Sequence, residues 1–316
     1  KVPYFNQETQ EREYIFGYLD AGEGSFNSLK RLTTDKELAY ILQNMKFIYL
    51  SHLHADHLGG IVTTITQWYQ YNKDDCNKKL YLLVPDGFLK FIVEMFANND
   101  KILKRIIGIS LEVFKDRVHS APLKTDMCSF LVDGRYMSVN GNSSFVNVVN
   151  QMYDQLNLDQ FVNVPAIHCS ASYSSTFTFK TGLKTSWKVS ISGDTRPNHK
   201  FSIIGKNSDY LIHEATFQHD LIQHAKMKKH STVLEALEIA HKMEAKNVIL
   251  THFSARKFDN FFFNAEKYVS HQSKAKICVA TDGIIVNDET MNAPHEKSMS
   301  AVKDNTAKDK KSVIYK

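Results

Sequence analysis

The chain has 316 residues, of which 43% are hydrophobic and 23% charged, with a formal net charge of +5. That length and apolar content are enough for one large core, and they exclude both a disordered polar chain and one that depends on a membrane. From Glu296 to Lys316 six lysines face three acids, which leaves the remainder near +2, so net charge alone does not mark a polyanion-binding protein and a local patch is required.

In chain order, the first strong pattern is the apolar run Phe47-Ile48-Tyr49-Leu50, which predicts a buried strand. It leads directly into Ser51-His52-Leu53-His54-Ala55-Asp56-His57-Leu58-Gly59-Gly60. Residues 87–96 and 102–107 read as helix-like runs. The Asn- and Ser-rich stretch 136–159 reads as a loop insertion followed by a helix over 145–156. Val162-Asn163-Val164-Pro165-Ala166-Ile167 ends at His168, and Lys188-Val189-Ser190-Ile191-Ser192-Gly193 ends at Asp194, followed by Thr195-Arg196-Pro197. Asp209-Tyr210-Leu211-Ile212 leads to His213-Glu214-Ala215-Thr216. A helix from Val233 to Met243 is predicted from Leu234, Leu237, Ile239, Ala240 and Met243 at mixed three-and-four spacing. Ser231 or Thr232 at its N-cap would leave backbone N–H groups free for an anion. Asn247-Val248-Ile249-Leu250-Thr251 ends at His252. No internal repeat is visible, and from Asn292 onward periodicity is lost. The expected division is therefore a folded domain over 1–291 and a flexible basic tail over 292–316.

Three imidazoles and a carboxylate crowded behind a buried strand are costly to desolvate unless they hold something, and a divalent cation is the simplest occupant. On an extended segment His52 and His54 leave the same face and can grip one ion. Asp56 and His57 diverge and together can address a second position beside it. Imidazole and carboxylate donors suit zinc. The cysteines supply no competing site, because Cys76, Cys128, Cys169 and Cys278 are scattered and never form Cys-x-x-Cys. Lone thiols without a secretory or transmembrane segment point to a reducing intracellular compartment. A strand that ends at once in His or Asp is how α/β folds present ligands at one edge of a sheet.

The order His52-x-His54-x-Asp56-His57, then His168, Asp194 and His252, resembles the metallo-β-lactamase superfamily. Ser192-Gly193-Asp194-Thr195-Arg196-Pro197, His213-Glu214-Ala215-Thr216-Phe217 and His230-Ser231-Thr232 are similar to the motifs of one branch, the tRNase Z endonucleases. Leu19-Asp20-Ala21-Gly22-Glu23-Gly24-Ser25 and Leu250-Thr251-His252-Phe253-Ser254-Ala255-Arg256 match that branch too. The resemblance implies an α/β fold, the four-layer αβ/βα sandwich. It also implies two zinc ions per active site, with His52, His54 and His168 on one, Asp56, His57 and His252 on the other, and Asp194 bridging. Two cations about 3.5–4 Å apart activate water and stabilise attacking and leaving oxygens in a displacement at phosphorus.

The implied activity is removal of the 3′ trailer from precursor tRNA, leaving a 3′-hydroxyl. Asp56 is then the general base. His230, oriented by Glu214, is the general acid that protonates the departing ribose oxygen; a helix cap or a solvated pair is the alternative for these two. Arg196 and the hydroxyls of Thr195, Ser231 and Thr232 are candidate phosphate contacts, with a structural ion pair as the alternative for Arg196.

Two departures from the branch shape the remaining expectations. The strand and Pro-x-Lys-x-Arg-Asn loop that open family members are not found ahead of Gly22-Glu23-Gly24, and no Gly-Pro insertion supplies the arm of short-form members. The chain thus looks like the catalytic carboxy-terminal half of a fungal-like long form, whose amino-terminal half carries the tRNA-binding arm and acts as its partner in the nucleus, the mitochondrion or both. A glyoxalase II-like thioesterase or another phosphodiesterase on the same fold is the competing reading, and a non-catalytic RNA-docking half is a further one.

Overall fold

The protein is described by a computed structural model covering residues 1–6, 11–116, 126–140, 144–182, 186–254, 275–280, 282–284, 286 and 291. The expected tail over 292–316 lies outside these residues. Strands β1 (Val2–Asn6), β2 (Glu11–Leu19), β3 (Met45–Tyr49), β4 (Leu80–Val84), β5 (Ile106–Ser110), β6 (Asp126–Val132) and β7 (Arg135–Asn140) form one sheet in sequential order. Strands β8 (Leu158–Pro165), β9 (Tyr173–Lys180), β10 (Ser186–Ile191), β11 (Tyr210–Glu214), β12 (Asn247–Thr251) and β13 (Lys276–Val279) form the other, also in sequence. Within the first sheet β2 to β5 run parallel, and within the second β10 to β13 do.

Alternation along the central strands explains the layering. In β3 and β4, Phe47, Tyr49, Tyr81 and Leu83 enter an apolar cluster that includes Phe161 and Phe177 of the opposite sheet. Ile48, Leu50, Leu80 and Leu82 point the other way, into a second cluster with Ile61, Ile65 and Trp68 of the helix Ile61–Asn72. On the far side, Leu211, Val248 and Leu250 meet Ala236, Leu237, Ile239 and Met243 of the helix Val233–Met243 in a third. Strands apolar on both faces belong inside a covered sheet. Three apolar seams between helix, sheet, sheet and helix make the four-layer αβ/βα sandwich that the resemblance implied. Among the described residues no helix is long and apolar enough to cross a membrane.

Two local expectations are corrected. The run 102–107 divides into a helix, Asp100–Leu103, and the start of β5. Every residue of β5 is buried, and a short run apolar on both faces carries no period that separates helix from strand. The front of the supposed loop at 136–159 is β7, joined to β6 by the two-residue turn Asp133-Gly134 with φ of 50° and 77°. Asp-Gly with both φ positive is the turn that a tight hairpin demands. Ahead of Gly22, β1 and β2 lie as an antiparallel pair. The helices expected over 145–156 and from Val233 to Met243 form as Ser144–Gln155 and Val233–Met243, the latter opened by a capping box between Thr232 and Glu235.

Candidate metal centre

Both parallel segments deliver their carboxyl ends to one place. After β3 the chain continues through Leu50 and Ser51 to His52 and His54, then turns into the short helix Ala55–Leu58 that carries Asp56 and His57. His168 lies in the β8–β9 connection, Asp194 in the loop after β10, Glu214 at the end of β11, and His252 one residue beyond β12. Two glycines let the Ala55–Leu58 helix approach the turn after β2. A Cβ on Gly22 would sit 2.1 Å from the Asp56 carbonyl oxygen, and one on Gly60 would sit 2.3 Å from the Gly22 carbonyl oxygen.

All seven expected ligands converge. His52 Nε2 lies 3.0 Å from His54 Nδ1, which lies 3.2 Å from His168 Nε2. His57 Nε2 and His252 Nε2 stand 3.6 and 3.5 Å from Asp56 Oδ2. A single oxygen, Asp194 Oδ2, is 3.6 Å from His52 Nε2, 3.8 Å from His168 Nε2, and 3.4 Å from both His57 Nε2 and His252 Nε2. Most of these gaps are too long for good hydrogen bonds. They suit donors around a common cation, since metal–nitrogen bonds of about 2.0–2.1 Å in a tetrahedron place neighbouring ligand atoms about 3.3 Å apart. His57 Nε2 is buried without a hydrogen-bond partner, a cost that a bound cation removes. The residues therefore fit divalent metal.

Outer contacts settle which nitrogen of each ring faces inward. His57 Nδ1 donates to Asp20 Oδ2 at 2.8 Å, and His168 Nδ1 donates to the Lys229 carbonyl at 3.0 Å. The Ser51 hydroxyl gives its hydrogen to Asp20 Oδ2 and that of Thr216 gives its own to Glu214 Oε2, so their oxygens accept from His52 Nδ1 at 3.0 Å and His252 Nδ1 at 2.8 Å. Each of these four rings is left with an Nε2 lone pair aimed at the cage. Burial, then the neighbouring His57, pushes His52 down to about 3, so it is a neutral donor. The facing His252 ring is the main influence holding Asp56 down at about 2, and Asp194 is also held well below the usual carboxylate range, its burial outweighed by His57 and His252.

Beside the cage, His230 Nδ1 is 3.0 Å from Glu214 Oε1. Glu214 is buried and also accepts from the backbone N–H groups of Thr195 at 2.6 Å and Ser231 at 3.1 Å. A carboxylate held this firmly orients a histidine for proton transfer. A cavity of about 250 Å³ opens against Asp56, His57, Asp194, Glu214 and His252.

No protein-family model matches the chain. It is 39% identical over 313 residues to ribonuclease Z of Saccharomyces cerevisiae, an alignment covering 92% of this chain and 36% of the relative. A crystal structure of a long form RNase Z from yeast superposes with a TM-score of 0.78 at 34% identity, over 95% of this chain and 40% of that one. The chain belongs to the ribonuclease Z family. The metallo-β-lactamase fold protein YhfI from Bacillus subtilis is similar in fold alone, with a TM-score of 0.54 at 18% identity over 86% of this chain and 88% of that one. Other relatives are named Ribonuclease Z 2, mitochondrial, from Schizosaccharomyces pombe (32% identical over 272 residues, 84% of this chain and 33% of the relative) and Zinc phosphodiesterase ELAC protein 2, from Gorilla gorilla gorilla (28% over 240 residues, 75% and 26%). This ribonuclease Z-family chain spans about a third of the length of the curated relatives that it matches.

The four expected phosphate contacts are placed differently. Thr195, Ser231 and Thr232 are completely buried. Thr195 Oγ1 donates to the Arg196 carbonyl, Ser231 Oγ donates to the Thr195 carbonyl, and Thr232 caps its helix. Arg196 forms the structural ion pair with Glu235 and also donates to the His230 carbonyl at 2.6 Å. The N–H groups of Ser231, Thr232 and Val233 are committed to Glu214, Glu235 and the Phe217 carbonyl. Conversely, Asp20 and Thr216 support ligands without having been singled out. Asp20 could have been found by the rule used for the others, since Phe16-Gly17-Tyr18-Leu19 ends at it.

Proposed function

We propose that this chain is the catalytic part of a zinc-dependent endoribonuclease that removes the 3′ trailer from precursor tRNA, cutting after the discriminator base and leaving a 3′-hydroxyl. The observation that carries the reading is a seven-donor cage beside the His230–Glu214 pair, in a chain 39% identical to a ribonuclease Z. A thioesterase would need the cage but not that pair, and a docking half would not keep every donor.

Two zinc ions are proposed, His52, His54 and His168 holding one, Asp56, His57 and His252 the other, and Asp194 shared. Bound there, they would acidify water and offset charge on the phosphoryl oxygens. Asp56, 65% exposed beside His57 and His252, takes the proton from the attacking water. His230, hydrogen-bonded to Glu214, gives a proton to the departing 3′-oxygen. Asp20, Ser51 and Thr216 keep the ligand rings turned inward. In the cell the chain is proposed to act with the additional length its relatives possess, including a tRNA-binding arm, in the mitochondrion, the nucleus or both.

The test is incubation of the zinc-loaded protein with a precursor tRNA bearing a 3′ trailer. A cut immediately after the discriminator base, blocked by a terminal CCA, supports the proposal. Hydrolysis of thioesters without any cut in the precursor refutes it.

A further inference from the structure

Between Glu214 and His230 the chain makes a short turn, His219–Leu221, and then the helix Ile222–Lys228, closed by Lys229 in the left-handed conformation with φ of 57°. This segment is fastened to the cage. The Lys229 carbonyl accepts from the ligand His168, the His230 amide donates to the Ala225 carbonyl at 2.9 Å, and Ala225 is fully buried. Its outer side is open, with Lys226, Met227, Lys228 and Lys229 all exposed.

The lip carries a net positive charge. From His219 to Ser231 there are three lysines and one acid, Asp220. Among the described residues none of the three has a carboxylate within 4.0 Å, and all three ammonium groups are open to a phosphate. Outside the tail the chain is close to neutral, so three free cations beside the active site are not the by-product of a basic protein. Exposed, unpaired lysines bind phosphates as point charges and release counterions from a nucleic acid when they do so.

Their position also selects a side of the scissile bond. Attack and departure at phosphorus lie in line on opposite faces. His230, the proton donor to the departing oxygen in the reading above, has its Nδ1 3.9 Å from Asp194 Oδ2 and so marks the side of departure. The lip is continuous with His230. We propose that Lys226, Lys228 and Lys229 form a basic lip that binds backbone phosphates of the RNA immediately 5′ of the cut, on the strand whose 3′-oxygen departs. This rests on the ribonuclease reading above.

The test is the salt dependence of kcat/KM on a trailered precursor tRNA, comparing the zinc-loaded chain with K226Q/K228Q/K229Q, the corresponding triple arginine variant, and K36Q/K90Q/K101Q as a distant control. Each single-strand phosphate contact contributes about 0.7 to the log–log salt slope. Losing three lowers the slope by about 2, so the advantage of the unsubstituted chain shrinks about 16-fold between roughly 50 and 200 mM salt. The arginine variant and the control keep the original slope. Neutral methylphosphonates 5′ of the cut should weaken the unsubstituted chain and leave the glutamine variant unaffected. An unchanged slope in the glutamine variant with an unchanged melting temperature overturns the lip, as does coupling to methylphosphonates 3′ of the cut instead. Failure of the unsubstituted chain to act on any precursor overturns the ribonuclease reading and the lip with it.

Discussion

Asp20 stands behind both halves of the cage, and replacing it with asparagine tests whether outer contacts set the ligand rings. Its Oδ2 accepts from His57 Nδ1 at 2.8 Å and from the Ser51 hydroxyl at 2.7 Å, while Oδ1 accepts from the Ser51 amide at 2.7 Å. An asparagine there would keep the shape but only one oxygen. If that oxygen serves the Ser51 amide, an NH₂ group faces two hydrogens that the carboxylate accepted. Relief comes by moving the His57 proton to Nε2, the atom required as a donor to metal, and by turning the Ser51 hydroxyl away from its relay to His52. Outer carboxylates of this kind are worth about 10–100-fold in metal affinity, or about 1.4–2.7 kcal/mol. Because the Asp20 side chain is only 16% exposed and two rings depend on it, the loss should fall near the upper figure for D20N. Ser51→Ala breaks only the relay to His52 and should cost nearer the lower one. Competition with a chromogenic zinc chelator reads both affinity and stoichiometry. Two equivalents of zinc bound to D20N as tightly as to the unsubstituted protein would refute the reasoning.

His230→Ala should slow precursor cleavage about 10²–10⁴-fold, yet have a much smaller effect on bis(p-nitrophenyl) phosphate, whose leaving group departs without a proton; equal losses on both substrates would exclude the acid role. In the metal-free protein burial opposes charge on His57, but the neighbouring carboxylates of Asp194 and Asp20 prevail and raise it to about 10. Its contacts therefore stabilise the metal-free fold fully below its ordinary value of 6.5 and are lost as pH rises through about 10, and zinc must displace that proton. Calorimetry at pH 8 in buffers of different ionisation heat should count about one proton released per chain on zinc uptake, and zero would contradict the assignment. Gly22→Ala places a methyl against the Asp56 carbonyl, so a loss of about 1–3 kcal/mol in urea denaturation is expected together with weakened zinc binding; unchanged values would show that the turn yields freely. Finally, the chain alone should hydrolyse small phosphodiesters but turn over precursor tRNA poorly beside a longer protein that has the arm, and equal turnover would remove the partner from the proposal.

The first cluster of candidate ligands, the covered central strands and the helix from Val233 to Met243 were legible in the sequence because each is written locally. His52, His54, Asp56 and His57 sit within six residues, and the continuous apolar run Phe47-Ile48-Tyr49-Leu50 marks a buried strand without knowledge of distant chain. What only the tertiary structure decided is who meets whom. That Asp194 Oδ2 lies 3.4–3.8 Å from four imidazoles depends on two sheets stacking with their carboxyl ends together, and no spacing within either half encodes that distance. Arg196 shows the same limit, since an arginine after an Asp-Thr loop reads as a phosphate contact until Glu235, 39 residues later, is found against it. Asp20 ends a strand as the other site residues do, but its partners Ser51 and His57 are brought to it from the next strand, through parallel pairing of β2 with β3. Residue type and local period specify which groups are available and which face is buried; long-range packing alone fixes distance and orientation, and on those the chemistry depends.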